Sequence, residues 1–201
     1  MVDGGSKDRS IQICKKFQGI KLYQLLNKGR GDCIQHGIKR SKGDIVIIFP
    51  SDGEYKTQEI AHMFSEFKNN LNIKVIMGNR VLKCIDIDDK IKKIYKKKYF
   101  SYLVSKLGGK LINILFLILY NRNISDPFTT FQGFNGNLIR SLNLNSSGVE
   151  ANMEYLIQLI KKNYYIHQLP VEYFPRHKSE GKKINAYDGI KCILTLLLNK
   201  I

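Results

Sequence analysis

The pattern of apolar and polar positions predicts two strands that are buried on both faces. Residues 45–49 (IVIIF) form a continuous apolar run that ends at Pro50, and residues 73–77 (IKVIM), apolar except for Lys74, form a second segment that ends at Gly78. Largely apolar segments are typical of strands in a parallel sheet, which helices cover on both sides. We therefore expect both strands to lie inside one sheet.

Helical patterns precede, separate and follow these strands. In the first half, apolar residues at helical spacing predict helices over residues 10–26 and 31–41 and a helix with its N-cap at Thr57. In the second half, the pattern predicts a helix over residues 149–162 and a short strand over residues 171–174. This alternation predicts an α/β fold with a doubly wound, mostly parallel sheet.

The chain is strongly basic, which limits the classes of partner. It has 201 residues, with 33 Lys and Arg against 17 Asp and Glu, for a net charge of +16. Nucleic acid, an anionic membrane surface or phosphorylated small molecules would suit that charge, but no nucleic-acid recognition motif is present. The four cysteines are far apart and form no CxxC pair, which argues against a zinc site and a disulfide framework and favours a reducing compartment.

One basic region is typical of a membrane surface. Residues 90–98 contain six lysines, and residues 111–120 (LINILFLILY) form an apolar run too short to cross a bilayer. We expect residues 90–120 to rest on an anionic membrane, the alternative being a helical cover with lysines facing solvent. The first residues are polar and contain no signal peptide, so we expect a cytoplasmic protein that is peripheral at the cytosolic membrane face.

Residues with suitable chemistry follow the predicted strands. In open α/β sheets, ligands bind beyond the carboxyl ends of the strands, where Asp52, Glu54 and Arg80 lie in this sequence. Two carboxylates in this position suit Mg²⁺ or Mn²⁺ bound to a diphosphate, although acidic residues in a turn are more often only solvated. Lys28 and Arg30 lie in a glycine-rich loop before a helix, where backbone N–H groups favour an anion, the alternative being a flexible basic loop.

Several short motifs follow one another along the chain. They are V-D-G-G-S-K-D at residues 2–8, N-K-G-R-G at 27–31, G-D-I-V-I-I-F-P-S-D at 43–52, G-N-R at 78–80, D-P-F-T-T-F at 126–131, Glu154, P-V-E-Y at 170–173, and Arg176 with S-E-G-K-K-I at 179–184. Together they resemble family 2 glycosyltransferases, in the branch of dolichol-phosphate mannose synthases and related polyprenyl-phosphate hexosyltransferases. The resemblance covers nearly the whole chain in the family's order.

The resemblance implies a GT-A, Rossmann-like fold in a single domain. Residues 1–80 would be its nucleotide-sugar-binding half, and residues 81–201 its acceptor-binding half with basic amphipathic helices. It implies inverting, metal-assisted transfer of a hexose from a nucleotide-sugar to a polyprenyl phosphate or another membrane-associated acceptor. The residues implicated are Asp3, Lys28, Asp52 and Arg80 for the donor, Asp52 and Glu54 for Mg²⁺ or Mn²⁺, Asp52, Asp126 and Arg176 for catalysis, and Thr129, Arg176 and Lys182 for the acceptor.

Three departures from the family pattern keep alternatives open. The strand and Asn-Glu loop that precede the first motif are absent, so we expect an N-terminally truncated fold with a weakened donor pocket. Pro50 replaces the first carboxylate of the acidic pair, and Thr130 replaces a glycine. The alternatives are transfer to a glycan hydroxyl, with Asp126 as base, and a degenerate, non-catalytic member that binds membrane or nucleotide.

Overall fold

The structure, a computed structural model, describes residues 1–26, 28–83, 99–176 and 186–200. Its strands are β1 (Val2–Asp3), β2 (Tyr23–Gln24), β3 (Ile45–Ile48), β4 (Val75–Asn79), β5 (Gln132–Asn135) and β6 (His167–Pro170). Its helices are α1 (Ser10–Cys14), α2 (Arg30–Arg40), α3 (Gln58–Asn69), α4 (Arg80–Lys83), α5 (Tyr99–Tyr120), α6 (Gly136–Arg140), α7 (Ala151–Lys161) and α8 (Ala186–Leu198).

The main sheet has four strands in the order β3-β5-β4-β6. Strand β5 runs antiparallel to both of its neighbours, with Val46 opposite Phe134 and Ile76 opposite Gly133. Strand β6 is parallel to β4, so β3, β4 and β6 share one direction and only β5 opposes them. The expected mostly parallel α/β sheet is therefore confirmed.

The two faces of this sheet contact separate cores. Along β4, Val75 and Met77 enter a cluster with Phe116, Phe134 and Tyr155, where α5, α7 and α8 pack. Ile76 points to the opposite face, as alternation along a strand requires, and joins the second cluster with α3. All five residues of β4 are buried, which explains why this segment lacks the polar positions of a half-exposed strand.

A second, two-stranded parallel sheet lies apart from the main one. Strands β1 and β2 pair through Val2 with Tyr23 and Asp3 with Gln24. The Tyr23 ring packs against His36, with 5.0 Å between ring centroids, and under the Arg40 guanidinium at 5.5 Å, so α2 supports this small sheet.

Helix α2 is also bound to the larger part of the molecule at both ends. At its start, the Gly31 N–H donates to the Ser147 carbonyl at 2.8 Å. A Cβ at Gly31 would lie 2.4 Å from the Ser146 carbonyl oxygen, so only glycine permits this approach. Beyond its end, Arg140 Nη1 donates to the Gly43 carbonyl at 3.1 Å. Helix α2 thus connects the two sheets.

Several predicted boundaries are wrong. The helix expected over residues 10–26 ends at Cys14, and β2 occupies part of that range. The short strand expected at residues 171–174 lies four residues earlier, as β6. Thr57 is the N-cap of α3, but its side chain makes no capping hydrogen bond.

Two sets of predicted residues, residues 90–98 for the membrane and Lys182 for the acceptor, lie outside the described residues. The division into halves at residue 80 stays a prediction. Among the helices of the described ranges, none is long and apolar enough to cross a membrane.

Candidate active site

The loop after β3 holds the predicted acidic pair, and Arg176 binds both carboxylates. Arg176 Nη2 lies 2.9 Å from Asp52 Oδ2, and its Nε lies 3.7 Å from Glu54 Oε1. The Arg176 backbone N–H also donates to Glu54 Oε1 at 3.2 Å, and the Phe174 N–H donates to the Glu54 carbonyl at 2.9 Å. The segment after β6 is therefore anchored to the acidic loop, which brings Asp52, Glu54 and Arg176 together.

Arg80 and Asp126 form a second ion pair, at the end of β4. Arg80 Nε donates to Asp126 Oδ2 at 2.7 Å, Nη2 donates to Oδ1 at 2.6 Å, and the Arg80 backbone N–H also donates to Oδ2 at 3.0 Å. Burial opposes the charged form of Arg80, but the adjacent Asp126 carboxylate and its hydrogen bonds favour it, and the pKa of the guanidinium is raised. The Arg80 guanidinium also lies over the Tyr173 ring, 4.8 Å from its centroid.

A network of amides that sequence reasoning missed positions this pair. Asn79 Nδ2 donates to Ser125 Oγ at 2.5 Å and to Gln168 Oε1 at 2.8 Å. The Ser125 N–H donates to the same Gln168 oxygen at 3.1 Å, and Asn113 Nδ2 donates to the Ser125 carbonyl at 3.0 Å. These bonds connect β4, β6 and α5 to the residue directly before Asp126, so they fix where its carboxylate points.

Thr129, predicted to contact the acceptor, is completely buried. Its Oγ1 lies 3.3 Å from the Tyr55 hydroxyl, and its carbonyl accepts from Asn152 Nδ2 at 2.8 Å and from Gln132 Nε2 at 2.9 Å. Burial raises the pKa of Tyr55, so its hydroxyl stays protonated at neutral pH. In this conformation Thr129 supports the floor of the site, behind Tyr55, rather than its surface.

Asp3 lies at the end of β1, where its own loop surrounds it. Its carboxylate accepts from the Gly5 N–H at 3.0 Å, from the Ser6 N–H at 3.1 Å and from the Ser6 hydroxyl. The Ser6 hydroxyl is the main reason that the pKa of Asp3 is lowered, and burial opposes it. Asp3 is therefore a fixed anion in the small sheet, whereas Asp52 belongs to the main sheet.

Arg30 was named with Lys28 in the predicted anion-binding loop, but only Lys28 was assigned to the donor. Lys28 is exposed on the loop, whereas Arg30 Nε and Nη2 are buried and have no hydrogen-bond partner among the described residues. Burial lowers the pKa of Arg30. Its position as the first residue of α2, after Gly29, was the signal in the sequence.

The start of α2 is held in place by a buried carboxylate. Glu154, on α7, accepts from the Asn145 N–H at 2.9 Å and from the Ser146 N–H at 2.8 Å. The same loop binds α2, because the Ser146 carbonyl accepts from Gln35 Nε2 at 2.7 Å. Glu154 thereby positions Arg30 indirectly, through this loop.

The acidic pair fits a divalent cation that also binds a substrate phosphate. Mg²⁺ is commonly held by one or two carboxylates, with its other ligands from phosphates and water, and Asp52 and Glu54 supply two carboxylates. The Arg176 guanidinium lies against both carboxylates, which shows that this position accepts a cation. Within the described part of the chain no group of three or more His, Cys, Asp or Glu is arranged to hold a metal, so the donor would have to complete the ligand set.

Several known proteins are similar to this chain over nearly all of its length. The dolichyl-phosphate beta-glucosyltransferase ALG5D of Trichomonas vaginalis is 25% identical over 98% of this chain and 59% of its own length. The low-salt glycan biosynthesis hexosyltransferase Agl6 of Haloferax volcanii is 21% identical over 99% of this chain and 45% of its own length. The uncharacterized protein MJ1222 of Methanocaldococcus jannaschii is 22% identical over all of this chain and 80% of its own length.

Solved structures confirm the fold. Glucosyl-3-phosphoglycerate synthase of Mycobacterium tuberculosis, in complex with uridine diphosphate, superposes with a TM-score of 0.71 over 99% of this chain and 67% of that chain, at 14% identity. The same enzyme with Mn²⁺, UDP-glucose and phosphoglyceric acid gives a TM-score of 0.68 over 99% of this chain and 67% of that chain, again at 14% identity. The fold is thus that of the GT-A glycosyltransferases.

The family model for glycosyl transferase family 2 matches residues 1–128, which include the acidic loop, Arg80 and Asp126. This is well over half of the chain, and it agrees with the fold and with the motifs in their order. The protein described here belongs to glycosyl transferase family 2.

Proposed function

We propose that this enzyme transfers a hexose from a nucleotide-sugar to the phosphate of a polyprenyl lipid, with inversion at the anomeric carbon. The observation that carries the proposal is the set of arginines at the candidate site: Arg176 binds Asp52 and Glu54, Arg80 pairs with Asp126, and the Nε and Nη2 atoms of Arg30 are buried without a hydrogen-bond partner among the described residues. Such a set suits a reaction in which both the donor and the acceptor are phosphates. The names of the relatives ALG5D and Agl6 support hexosyl transfer, and that of ALG5D supports a dolichyl phosphate acceptor.

In the proposed reaction, an acceptor phosphate oxygen bonds to the anomeric carbon as the bond from that carbon to the diphosphate oxygen breaks. The acceptor is already an anion, so the site needs no strong base, and its work is positioning and charge stabilisation. Asp3 and Lys28 would contact the donor nucleotide, while Arg30 and Arg80 would bind its diphosphate. Arg176, Thr129 and Lys182 would serve the acceptor.

Asp52 and Glu54 would hold Mg²⁺ or Mn²⁺, with Pro50 contributing no ligand. When bound, the cation would neutralise charge on the departing nucleotide diphosphate. Solved structures of glucosyl-3-phosphoglycerate synthase contain Mn²⁺ or Mg²⁺ with uridine nucleotides, which supports divalent metal use. To bind a phosphate, Arg176 would have to release these carboxylates.

A lipid acceptor implies work at a membrane, so we also propose a peripheral location at the cytosolic face of an anionic membrane. The net charge of +16 supports this location. A glycan hydroxyl acceptor would need Asp126 as base. Arg80 occupies both oxygens of Asp126, which favours the phosphate acceptor instead.

The test is a transfer assay with a panel of nucleotide-sugars, a polyprenyl phosphate and Mg²⁺ or Mn²⁺, comparing the wild type with Asp52→Asn. We expect metal-dependent product from the wild type and a loss of at least about a hundredfold in the variant, because a neutral amide holds the cation poorly. Asp44→Asn is the matched control, because this exposed carboxylate lies just before β3, at the other end of the strand.

Full activity of Asp52→Asn would contradict the metal assignment. A wild type that binds UDP but transfers sugar only to a hydroxyl acceptor would support the glycan alternative. A wild type that binds UDP but transfers sugar to no acceptor would support the alternative of a non-catalytic family member.

A further inference from the structure

Helix α5 exposes a row of large apolar side chains. Leu107, Leu111, Ile114 and Ile118 recur every three or four residues, so they share one face of the helix, and all four are exposed. Ile118 is 72% exposed, although Ile112 and Phe116 on the opposite face are buried in the core. Helix α5 is therefore apolar on both sides, and only one of them is covered by the described chain.

Helix α8 repeats this arrangement beside α5. Its exposed row is Tyr187, Ile190, Leu194 and Leu198, while Cys192 and Leu196 enter the same core cluster as Ile112 and Phe116. The helices touch, since the Tyr120 hydroxyl donates to the Leu196 carbonyl at 2.7 Å. Because both inner faces meet one core, the two outer rows lie side by side. These eight residues form a continuous apolar surface, here named the two-helix face.

The charge around the two-helix face is positive. Residues 90–125 contain no Asp or Glu, whereas Lys110 and Arg122 lie on or just after α5. Helix α8 and the residues after it contribute Lys191 and Lys200 against a single acid, Asp188. An apolar strip bordered by cations complements a bilayer with anionic headgroups, where the side chains reach the acyl boundary and the lysines remain at the surface.

We propose that the two-helix face docks on an anionic lipid bilayer, with the outer rows of α5 and α8 inserted together. The role of this contact rests on the proposed function, because it would present a lipid acceptor to the site. The contact itself depends only on apolar area and charge. It extends the predicted membrane surface, residues 90–120, to a helix nearly seventy residues further along the chain.

Co-sedimentation of the full chain with vesicles tests the proposal. The probes are vesicles of phosphatidylcholine alone and vesicles that also contain phosphatidylglycerol. We expect the wild type to bind the anionic vesicles, less tightly as salt is added. Ile118→Glu and Leu194→Glu should each weaken binding by about tenfold or more, since each places a charge where an apolar side chain would be buried.

Leu71→Glu is the matched control, because Leu71 is 79% exposed in the turn before β4, away from α5 and α8. It should bind vesicles like the wild type, and thermal unfolding should show that all three variants fold. Failure of the wild type to bind, or wild-type binding by Ile118→Glu and Leu194→Glu, would overturn the proposal. So would dissociation of a wild-type dimer by these variants with vesicle binding unchanged, because a second copy would then cover the face.

Transfer to a short-chain, water-soluble polyprenyl phosphate separates this inference from the proposed function. Ile118→Glu should keep wild-type turnover in that assay, because the site is intact. A wild type that binds vesicles but transfers no sugar would contradict the proposed function and leave the docking face supported.

Discussion

Arg80 has a carboxylate partner, Asp126, whereas the Nε and Nη2 atoms of Arg30 have no hydrogen-bond partner in the part of the chain that the structure describes. A buried cation without a partner costs stability unless a ligand neutralises it. In the folded chain, the Asp126 carboxylate neutralises Arg80. For Arg30, the anion would come from the donor, so we interpret its burial as a binding feature rather than a structural one.

We predict that Arg30→Met weakens binding of the nucleotide-sugar without lowering the stability of the protein. The apolar side chain removes a desolvated charge, so the melting temperature should stay the same or rise. The KM for the nucleotide-sugar should increase about tenfold or more, because a hydrogen bond to a charged phosphate is lost. Thermal unfolding and donor-dependent kinetics measure the two effects.

Lys28→Met is the control for this prediction. Lys28 is exposed on the same loop, so its removal should change the KM by less than Arg30→Met does. A larger effect at Lys28, or a clear loss of stability in Arg30→Met, would show that the sequence-based choice of Lys28 was the better one.

At the scale of elements, the contact between β5 and α3 depends on a missing side chain. A Cβ at Gly133 would lie 2.6 Å from Phe67 and 2.7 Å from Met63, both of which are buried. Strand β5 could not otherwise lie between β3 and β4 with α3 packed so closely across it. By contrast, a Cβ at Gly108, inside α5, would meet no atom within 4 Å.

These two glycines predict stability changes of opposite sign. Gly133→Ala should destabilise the protein by about 1–3 kcal/mol, because Phe67 and Met63 have to move to make room. Gly108→Ala should stabilise it by up to about 1 kcal/mol, since alanine is the better helix former and meets no obstacle. Urea unfolding of both variants tests this, and equal effects at the two positions would contradict the described packing of α3 on β5.

At the scale of the whole molecule, the residues proposed to bind the donor lie on two sheets that do not pair with each other. Asp3 ends β1 in the small sheet, and Asp52 follows β3 in the main one. Helix α2 is the described link between them, and it carries Arg30 at its start. A donor that contacts Asp3, Arg30 and Asp52 would therefore link the two sheets.

We therefore expect UDP with Mn²⁺ to raise the melting temperature more than Mn²⁺ alone. At a hundredfold excess over the dissociation constant, a ligand of the native state contributes about 2.7 kcal/mol. For a chain of this size that corresponds to about 5–10 °C. Differential scanning fluorimetry of the wild type, Asp3→Asn and the control Asp44→Asn should show the shift in the wild type and in the control. An equal shift in Asp3→Asn would mean that the ligand does not reach the small sheet.

The elements could be predicted only where local pattern and tertiary environment agree. Strand β3 was recognisable because four consecutive apolar residues between turn signals suit few other structures. Strand β5 was missed, since Gln132 and Gly133 are poor strand formers and hold their place through pairing on both sides. Helix α1 was predicted too long because apolar residues at helical spacing do not reveal that β2 pairs with β1.

The sequence by itself determined the family and the acidic loop, because motifs in a fixed order and carboxylates beside an apolar strand are local features. It did not determine burial: β3 was predicted to be buried on both faces, but it is half-buried at an edge of the main sheet. Only the tertiary structure decided which charges meet. Arg80 and Asp126 are 46 residues apart and Arg176 and Asp52 are 124 residues apart, so the packing of strands and loops selects these pairs. It also decided that Arg30 is buried while Lys28 is exposed, and that the apolar rows of α5 and α8 lie together on the surface, because solvent exposure is a property of the assembled chain.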